Sequence, residues 1–420
     1  MQQGADQRPL KFVFDTANSP LAKKSVIAVL PFQSRSADLE DQHFCDSLAD
    51  DIAGALARVS RFLVIARAST AGYLGKAVDV RQIGRDFAAA YVLQGSVYRL
   101  GERLRVSTQL SDTASGLHLW AEQYNHAATE MFDVQDRIVG TVAASIETEI
   151  IIAGRNRRLA GPDGSHNLQS LLLRGNGLLY DETVEAYAEA EMLGEQAIAL
   201  EPRNPMAHLL FAEVYIYRLA VRLVEYDLEK AARGVELARI VLGMAPNNEW
   251  THLACAQASI DVGQIDAAIA HAERALEINP SNANAFARLG QCYALLGRSA
   301  EAIQACRHAL EFNPRGSENF AWHFSLALAH FAAENDAEAL EEAVRVLRWR
   351  PDFIRAAVLL AATATALGRR AESDAALALC LTRHPDLRVG EIAPRIMPGF
   401  VRAADRERLG GLLIAAGLQG

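Results

Sequence analysis

Apolar residues follow two different spacings along this chain, and the change falls near residue 165. In the first stretch, Val26 to Phe32 (VIAVLPF) is a continuous apolar run of strand length closed by polar residues, the pattern of a buried strand. Leu48, Ile52, Ala55, Leu56 and Val59 then recur at helical spacing and predict a helix from Asp46 to Val59, with Asp46 or Ser47 as its cap. Phe62 to Ala66 reads as a second short strand, Val80 to Ala90 as a helix and Tyr91 to Leu100 as a strand. A turn at Gly101 and Glu102 leads into the alternating strand Arg103 to Leu110, so these two form a hairpin. Leu117 to Tyr124 follows through the Asp112 to Gly116 turn, and Met131 to Ile152 is a long amphipathic helix. The order β-α-β-α-β-β-β-α predicts a small α/β domain with a mixed sheet over 25–155, after a tail at 1–24 and before a linker at 156–167.

From residue 168 the spacing is helical throughout, and it repeats. A pattern of small and apolar residues ending in proline recurs at Pro202, Pro246, Pro280, Pro314, Pro351 and Pro385, at intervals of 44, 34, 34, 37 and 34 residues. Proline cannot continue the helical hydrogen bonding, so each one stops the second helix of a pair. The clearest copy, NAFARLGQCYALLGRSAEAIQACRHALEFNP, carries Phe286, Leu289, Gly290, Tyr293, Ala302, Ala309 and Pro314. Those residues and the 34-residue period resemble the tetratricopeptide repeat, in which small residues let two antiparallel helices approach and large ones fill the gap between neighbouring hairpins. Six hairpins are expected over 168–385, with about ten extra residues near Tyr217 to Asp227 and a capping segment at 386–420 that ends RERLGGLLIAAGLQG.

The first half carries a second resemblance. VIAVLPF, DSLADDIAGALARVSRFLVIAR, DVRQIGRDFAAAYVLQGSVYRLGERLRVSTQLSDTASGLHLWAEQYN and FDVQDRIVGTVAASI look like the TolB-like or FlgO-like amino-terminal domain of proteobacterial regulators. In that family the domain is commonly followed by tetratricopeptide repeats, behind a class III adenylate cyclase domain or a winged-helix DNA-binding domain of the HilA and CadC type. Only about 24 residues precede the domain here, too few to fold as either output domain. The resemblance therefore implies a sensing and docking half that serves a separate partner, or a reduced relative working as an adaptor.

Charge and composition narrow the partner. The net charge is -9, and it is unevenly placed: 18 basic and 18 acidic residues lie in the first 160, against 24 and 33 in the remainder. No basic stripe marks either half, which argues against nucleic acid as a partner of this chain alone. Cys45, Cys255, Cys292, Cys306 and Cys380 are odd in number and form no C-x-x-C pair, as in reduced cytoplasmic proteins. The start, MQQGADQRPLKFVF, lacks an apolar stretch of signal-peptide length, and runs such as Val358 to Leu367 fall short of a membrane span, so a cytoplasmic, membrane-free protein is expected.

No catalytic constellation is legible. Gly72 to Lys76 lacks the spacing and the Ser/Thr of a phosphate-binding loop and reads as a turn, and no H-E-x-x-H or G-x-S-x-G is present. Cys306 with His308, and His323 with His330, sit on repeat helices where packing or surface roles account for them, and Asp50 and Asp51 lie in a helix rather than on a cyclase's metal-binding strands. Neither cofactor nor metal is expected. Candidate binding residues come from the first helix of each hairpin, which lines the concave side of such a solenoid: Met206, Leu209, Glu213, Tyr217, Trp250, Leu253, Gln257, Asn284, Gln291, Phe324 and Arg355. Trp250 and Phe324 are either groove anchors or residues that pack between hairpins or against the first domain.

The expectation is thus a non-enzymatic interaction module with a regulatory or scaffolding role, binding a protein or peptide in the groove, with self-association open to the first domain. Two further readings stand beside it: the regulatory half of a class III adenylate cyclase whose catalytic domain is on another chain, and a transcription-regulator relative lacking its winged helix.

Overall fold

The computed structural model describes residues 25–35, 39–76, 79–127, 131–154, 167–181, 183–220, 228–314, 316, 318–392, 396–397 and 402–420. The expected tail and most of the expected linker lie outside them. The chain forms two compact units, 1–173 and 174–420.

The first unit is built on one mixed sheet. Strands β1 (Ser25–Val29), β2 (Gln33–Ser34), β3 (Phe62–Ile65), β4 (Tyr91–Leu100), β5 (Arg103–Asp112) and β6 (His118–Ala127) take the order β3-β1-β4-β5-β6, with β2 added beside β4. β1 runs parallel to β3 and β4, while β4, β5 and β6 form an antiparallel meander. Alternation along β1 sends Ile27 and Val29 to one face and Ala28 to the other. The first face is covered by Phe44, Leu48, Ile52 and Leu56 of α1 (Leu39–Arg58) and by Ile138, Val142 and Ile146 of α4 (Met131–Gly154). On the second face Ile83 of α3 (Val80–Phe87) packs with Ala28, Leu30, Ala89 and Val92. A single turn, α2 (Arg67–Thr70), links β3 to this side, and the Thr70 hydroxyl donates to the Val29 carbonyl at 2.8 Å.

Two local expectations differ from the structure. The apolar run from Val26 leaves the strand after Val29, two residues before Pro31, whose missing N–H cannot join a ladder. Helix α1 begins at Leu39, so neither Asp46 nor Ser47 caps it. Phe44 extends its buried face toward the N-terminus, and Asp46 instead pairs with Arg67 at 2.8 Å.

The second unit is helical. The boundary falls within α5 (Leu168–Leu179), which begins six pairs: α5 with α6 (Val184–Leu200), α7 (Pro205–Ala220) with α8 (Leu228–Met244), and α9 (Glu249–Asp261) with α10 (Ile265–Ile278). The series continues with α11 (Ala283–Leu295) and α12 (Ser299–Phe312), α13 (Asn319–Ala332) and α14 (Asp336–Trp349), and α15 (Ile354–Ala366) and α16 (Arg370–Arg383). Part of the extra length near Tyr217 is helix, since α7 runs to Ala220, and 221–227 lie outside the described residues.

Recurrent chemistry marks several of the pairs. Two residues after the stopping proline, Asn204, Asn248 and Asn282 cap the next helix, their side-chain oxygens accepting from the Met206, Trp250 and Ala285 amides at 2.9, 2.9 and 3.1 Å. Between paired helices the chain turns through positive φ at Gly263, Gly297 and Gly368, and Glu334 (φ 60) holds the corresponding place between α13 and α14. The far end is closed by a single turn α17 (Val389–Glu391) and by α18 (Ala403–Ala416). Leu409, Leu413 and Ala416 of α18 join the core under α15, while Arg408 grips Asp336 through two hydrogen bonds of 2.7 and 2.6 Å. An open solenoid needs such a cover for its last apolar face. No helix among the described residues is long and apolar enough to cross a membrane.

Candidate functional site

The first helices α7, α9, α11, α13 and α15 pack side by side, each against the next, and form one continuous inner surface. The sequence-derived residues fall on them at two depths. Met206, Tyr217, Asn284, Gln291 and Arg355 are half-buried. Leu209, Glu213, Trp250, Leu253, Gln257 and Phe324 are buried, Trp250 to 6% exposure and Phe324 to 4%. The eleven side chains therefore form a half-buried set and a buried floor rather than a single exposed row.

The floor is deepest at α9, where every residue from Glu249 to Ile260 is buried. Long side chains from its neighbours cross it. The Arg288 guanidinium of α11 stands over the Tyr217 ring of α7 at 5.6 Å from the centroid, and the two side chains are hydrogen-bonded. Arg288 also donates to Gln291 Oε1 at 3.3 Å, and Gln257 donates to Asp261 Oδ1 at 3.1 Å. Burial pushes the Tyr217 hydroxyl far up, so it stays neutral while its oxygen accepts from Arg288. Burial works against the charge of Arg288, but Tyr217, Glu318 and Asp261 outweigh it and hold the guanidinium protonated. Glu318, in turn, is raised by burial against the pull of Arg288.

Toward the other end the groove turns aromatic. Phe324 and Phe353 meet edge to face at 5.2 Å, and Arg355 lies over both, 5.0 and 4.9 Å from their centroids. Cation–π stacking thus keeps Arg355 flat against the wall. At the opposite end the Asn248 amide approaches Met206 Sδ at 3.7 Å.

Arg288, Asp261 and Glu318 were not among the residues read from the sequence. The available signal was Arg288 as the only charged residue of α11, between Ala287 and Leu289. Repeat phase assigned the groove to its neighbours, because a long side chain reaches surface that its Cα position does not face.

Of the histidines considered for metal binding, His323 and His308 have other partners. His323 Nδ1 lies 2.5 Å from Glu342 Oε2, and His308 stacks on Phe312 and Phe286. Asp50 pairs with Arg67 at 2.6 Å, and Asp51 with Gln135. All five thiols are buried, and desolvation pushes each up to about 12. No group of three or more His, Cys, Asp or Glu among the described residues is placed to hold a metal ion.

Comparison with known proteins agrees with this architecture. A tetratricopeptide-repeat family model matches residues 259–323, and the model of the second domain of HilA/YgeH-like transcriptional regulators matches 23–141. A protein named putative adenylate cyclase 3 from Rhizobium meliloti (strain 1021) is 33% identical over 188 residues, 45% of this chain. The chain spans about a third of that relative, 32% of its length. Among solved structures, a thermophilic tetratricopeptide protein of Thermus thermophilus is 20% identical with a TM-score of 0.36, covering 44% of this chain and 92% of its own. Human IFIT1 in its dimer with m7Gppp-AAAA is 17% identical with a TM-score of 0.46, covering 61% and 59%. The fold is a small mixed-sheet domain followed by a tetratricopeptide-like solenoid, an architecture whose repeats mediate protein–protein interaction.

Proposed function

We propose that the chain is a non-enzymatic regulatory or scaffolding component that docks a segment of a partner protein in the concave groove of its solenoid, in the cytoplasm. The observation that supports this reading is the run of first helices α7, α9, α11, α13 and α15 packed each against the next, with half-buried Met206, Tyr217, Asn284, Gln291 and Arg355 above a packed, largely apolar floor. Such a surface offers an extended segment polar contacts along an apolar bed. The TolB-like or FlgO-like character of the first domain belongs to the same reading, as the module through which the chain docks within its system or pairs with itself.

The test is affinity capture from the native lysate with the full chain, wild type against Gln291→Trp, which plugs the groove from a half-buried position. The reading expects a partner retained by the wild type and lost in the variant. Equal retention contradicts it.

A second reading has a specific observation behind it. The likeness to a protein named putative adenylate cyclase supports a role as the regulatory half of a cyclase system whose catalytic domain is on another chain. The captured partner would then be a nucleotide cyclase. A DNA-binding protein in its place would favour the transcriptional alternative, for which the HilA/YgeH-like match speaks.

A further inference from the structure

Two imidazoles meet within the hairpin of α9 and α10. His252, near the start of α9, and His271, in the middle of α10, face each other with 3.1 Å between their Nδ1 atoms. The other nitrogen of His252 fixes the tautomer. Its Nε2 lies 3.0 Å from the Pro246 carbonyl oxygen, which can only accept, so Nε2 carries a proton and Nδ1 of the neutral ring a lone pair. His271 Nδ1 must then be the donor, and one proton fills the gap between the two nitrogens. His208 makes the same bond, to the Pro202 carbonyl at 2.9 Å, so the tautomer belongs to the repeat and the second imidazole is what α10 adds. His252 is buried and His271 half-buried, which leaves the pair in contact with solvent. One turn along α10, Arg274 is tied to Glu277 at 2.5 Å and donates to Asn247 at 3.3 Å.

We propose that His252 and His271 bind a divalent transition-metal ion of the class that favours imidazole, through both Nδ1 atoms, in place of the proton they share. Tetrahedral coordination at about 2.0–2.1 Å sets ligand nitrogens about 3.3–3.4 Å apart, so from 3.1 Å the rings need part by only about 0.3 Å. The proton on His271 Nδ1 passes to its Nε2 by way of solvent, and both rings stay neutral ligands. Burial, which holds both below the usual histidine range, favours that neutral form. The Pro246 carbonyl on His252 Nε2 is the kind of outer partner that orients a ligating ring and raises its basicity. No third His, Cys, Asp or Glu among the described residues is placed with the pair, so water completes the shell. A bound ion ties the buried helix α9 to α10, whatever the groove itself accepts.

The experiment is titration calorimetry of the full chain with zinc chloride at about pH 7.5, with magnesium chloride as the hard-cation control. Wild type should take up one more equivalent of zinc than His252→Gln or His271→Gln, with a dissociation constant below about 100 µM, and magnesium should give no such step. Glutamine keeps a hydrogen-bonding amide at either position, and an unchanged circular dichroism spectrum checks that each variant is folded. A second readout needs no variant: in nitrogen NMR spectra of the histidine-labelled wild type, zinc should shift the Nδ1 resonances of two rings together. Equal zinc uptake by wild type and both variants, a magnesium step of the same size, or Nδ1 resonances unmoved by zinc would overturn the inference. So would absence of uptake up to about 1 mM.

Discussion

Gly290 offers the sharpest test of how the repeat hairpins are packed. A Cβ built on it would lie 2.3 Å from Cys306 Sγ, 3.2 Å from the Cys306 amide nitrogen and 3.3 Å from the Ala302 carbonyl oxygen. Rotating Cys306 offers little relief, because its side chain is fully buried and the other two contacts are backbone. In Gly290→Ala, α11 and α12 must therefore separate, an overpacking cost of about 2–3 kcal/mol. Alanine's helix preference returns about 0.5–1 kcal/mol, leaving a net loss of about 1–2 kcal/mol. The control is Gly411→Ala in α18, where nothing lies within 4 Å of the built Cβ, and the same substitution should gain about 0.5–1 kcal/mol. Urea titrations followed by far-ultraviolet circular dichroism read both. With a slope of about 3 kcal/mol/M, the Gly290→Ala midpoint falls by about 0.5 M while that of Gly411→Ala rises. Adding Cys306→Ala removes the shortest contact, so the two substitutions should couple favourably by about 1 kcal/mol. If Gly290→Ala stabilises as Gly411→Ala does, the close helix approach is wrong.

Trp250→Ala should cost about 3–5 kcal/mol, because a side chain at 6% exposure leaves a large cavity. A melting temperature within about 2 °C of wild type would instead make it a surface anchor. His252 and His271 face each other with 3.1 Å between their Nδ1 atoms, and burial lowers both below the usual histidine range, so they are neutral when folded and take up protons on unfolding. Their contribution is complete above the unfolded value of 6.5 and is lost as pH falls below it. The melting temperature should drop between about pH 7 and pH 5, less steeply in His271→Gln, and equal slopes for variant and wild type would refute this. The five buried thiols, pushed up to about 12, should resist Ellman's reagent at about pH 8 until guanidinium unfolds the chain, and rapid native labelling would contradict their burial.

The repeats were legible because their punctuation is local. A proline follows the second helices, an asparagine two residues on caps the next first helix at Asn204, Asn248 and Asn282, and a glycine turns three of the pairs, at Gly263, Gly297 and Gly368, so these boundaries are written within a few residues of themselves. The sheet was legible to within a few residues for the same reason, Tyr91–Leu100 matching its strand end to end. The start of α1 was not, since Leu39 to Cys45 carries charged and apolar residues whose helical phase becomes visible only once Phe44 is known to pack under the sheet. Phase placed all eleven residues read from the sequence on the first helices of the pairs. It did not separate half-buried from buried positions among them, Trp250, Leu253 and Gln257 being buried where Met206 and Gln291 are not. That depth depends on how tightly successive hairpins curve, which no single repeat encodes.

Site-specific photo-crosslinking in the native cell tests the groove most directly. A benzophenone amino acid placed at half-buried Gln291 on α11, and separately at exposed Glu273 on α10, samples the groove and a helix outside it within the same full chain. The account predicts a discrete protein adduct from position 291 and none from 273. Adducts from 273 alone, or the same adducts from both, would contradict a partner seated in the groove.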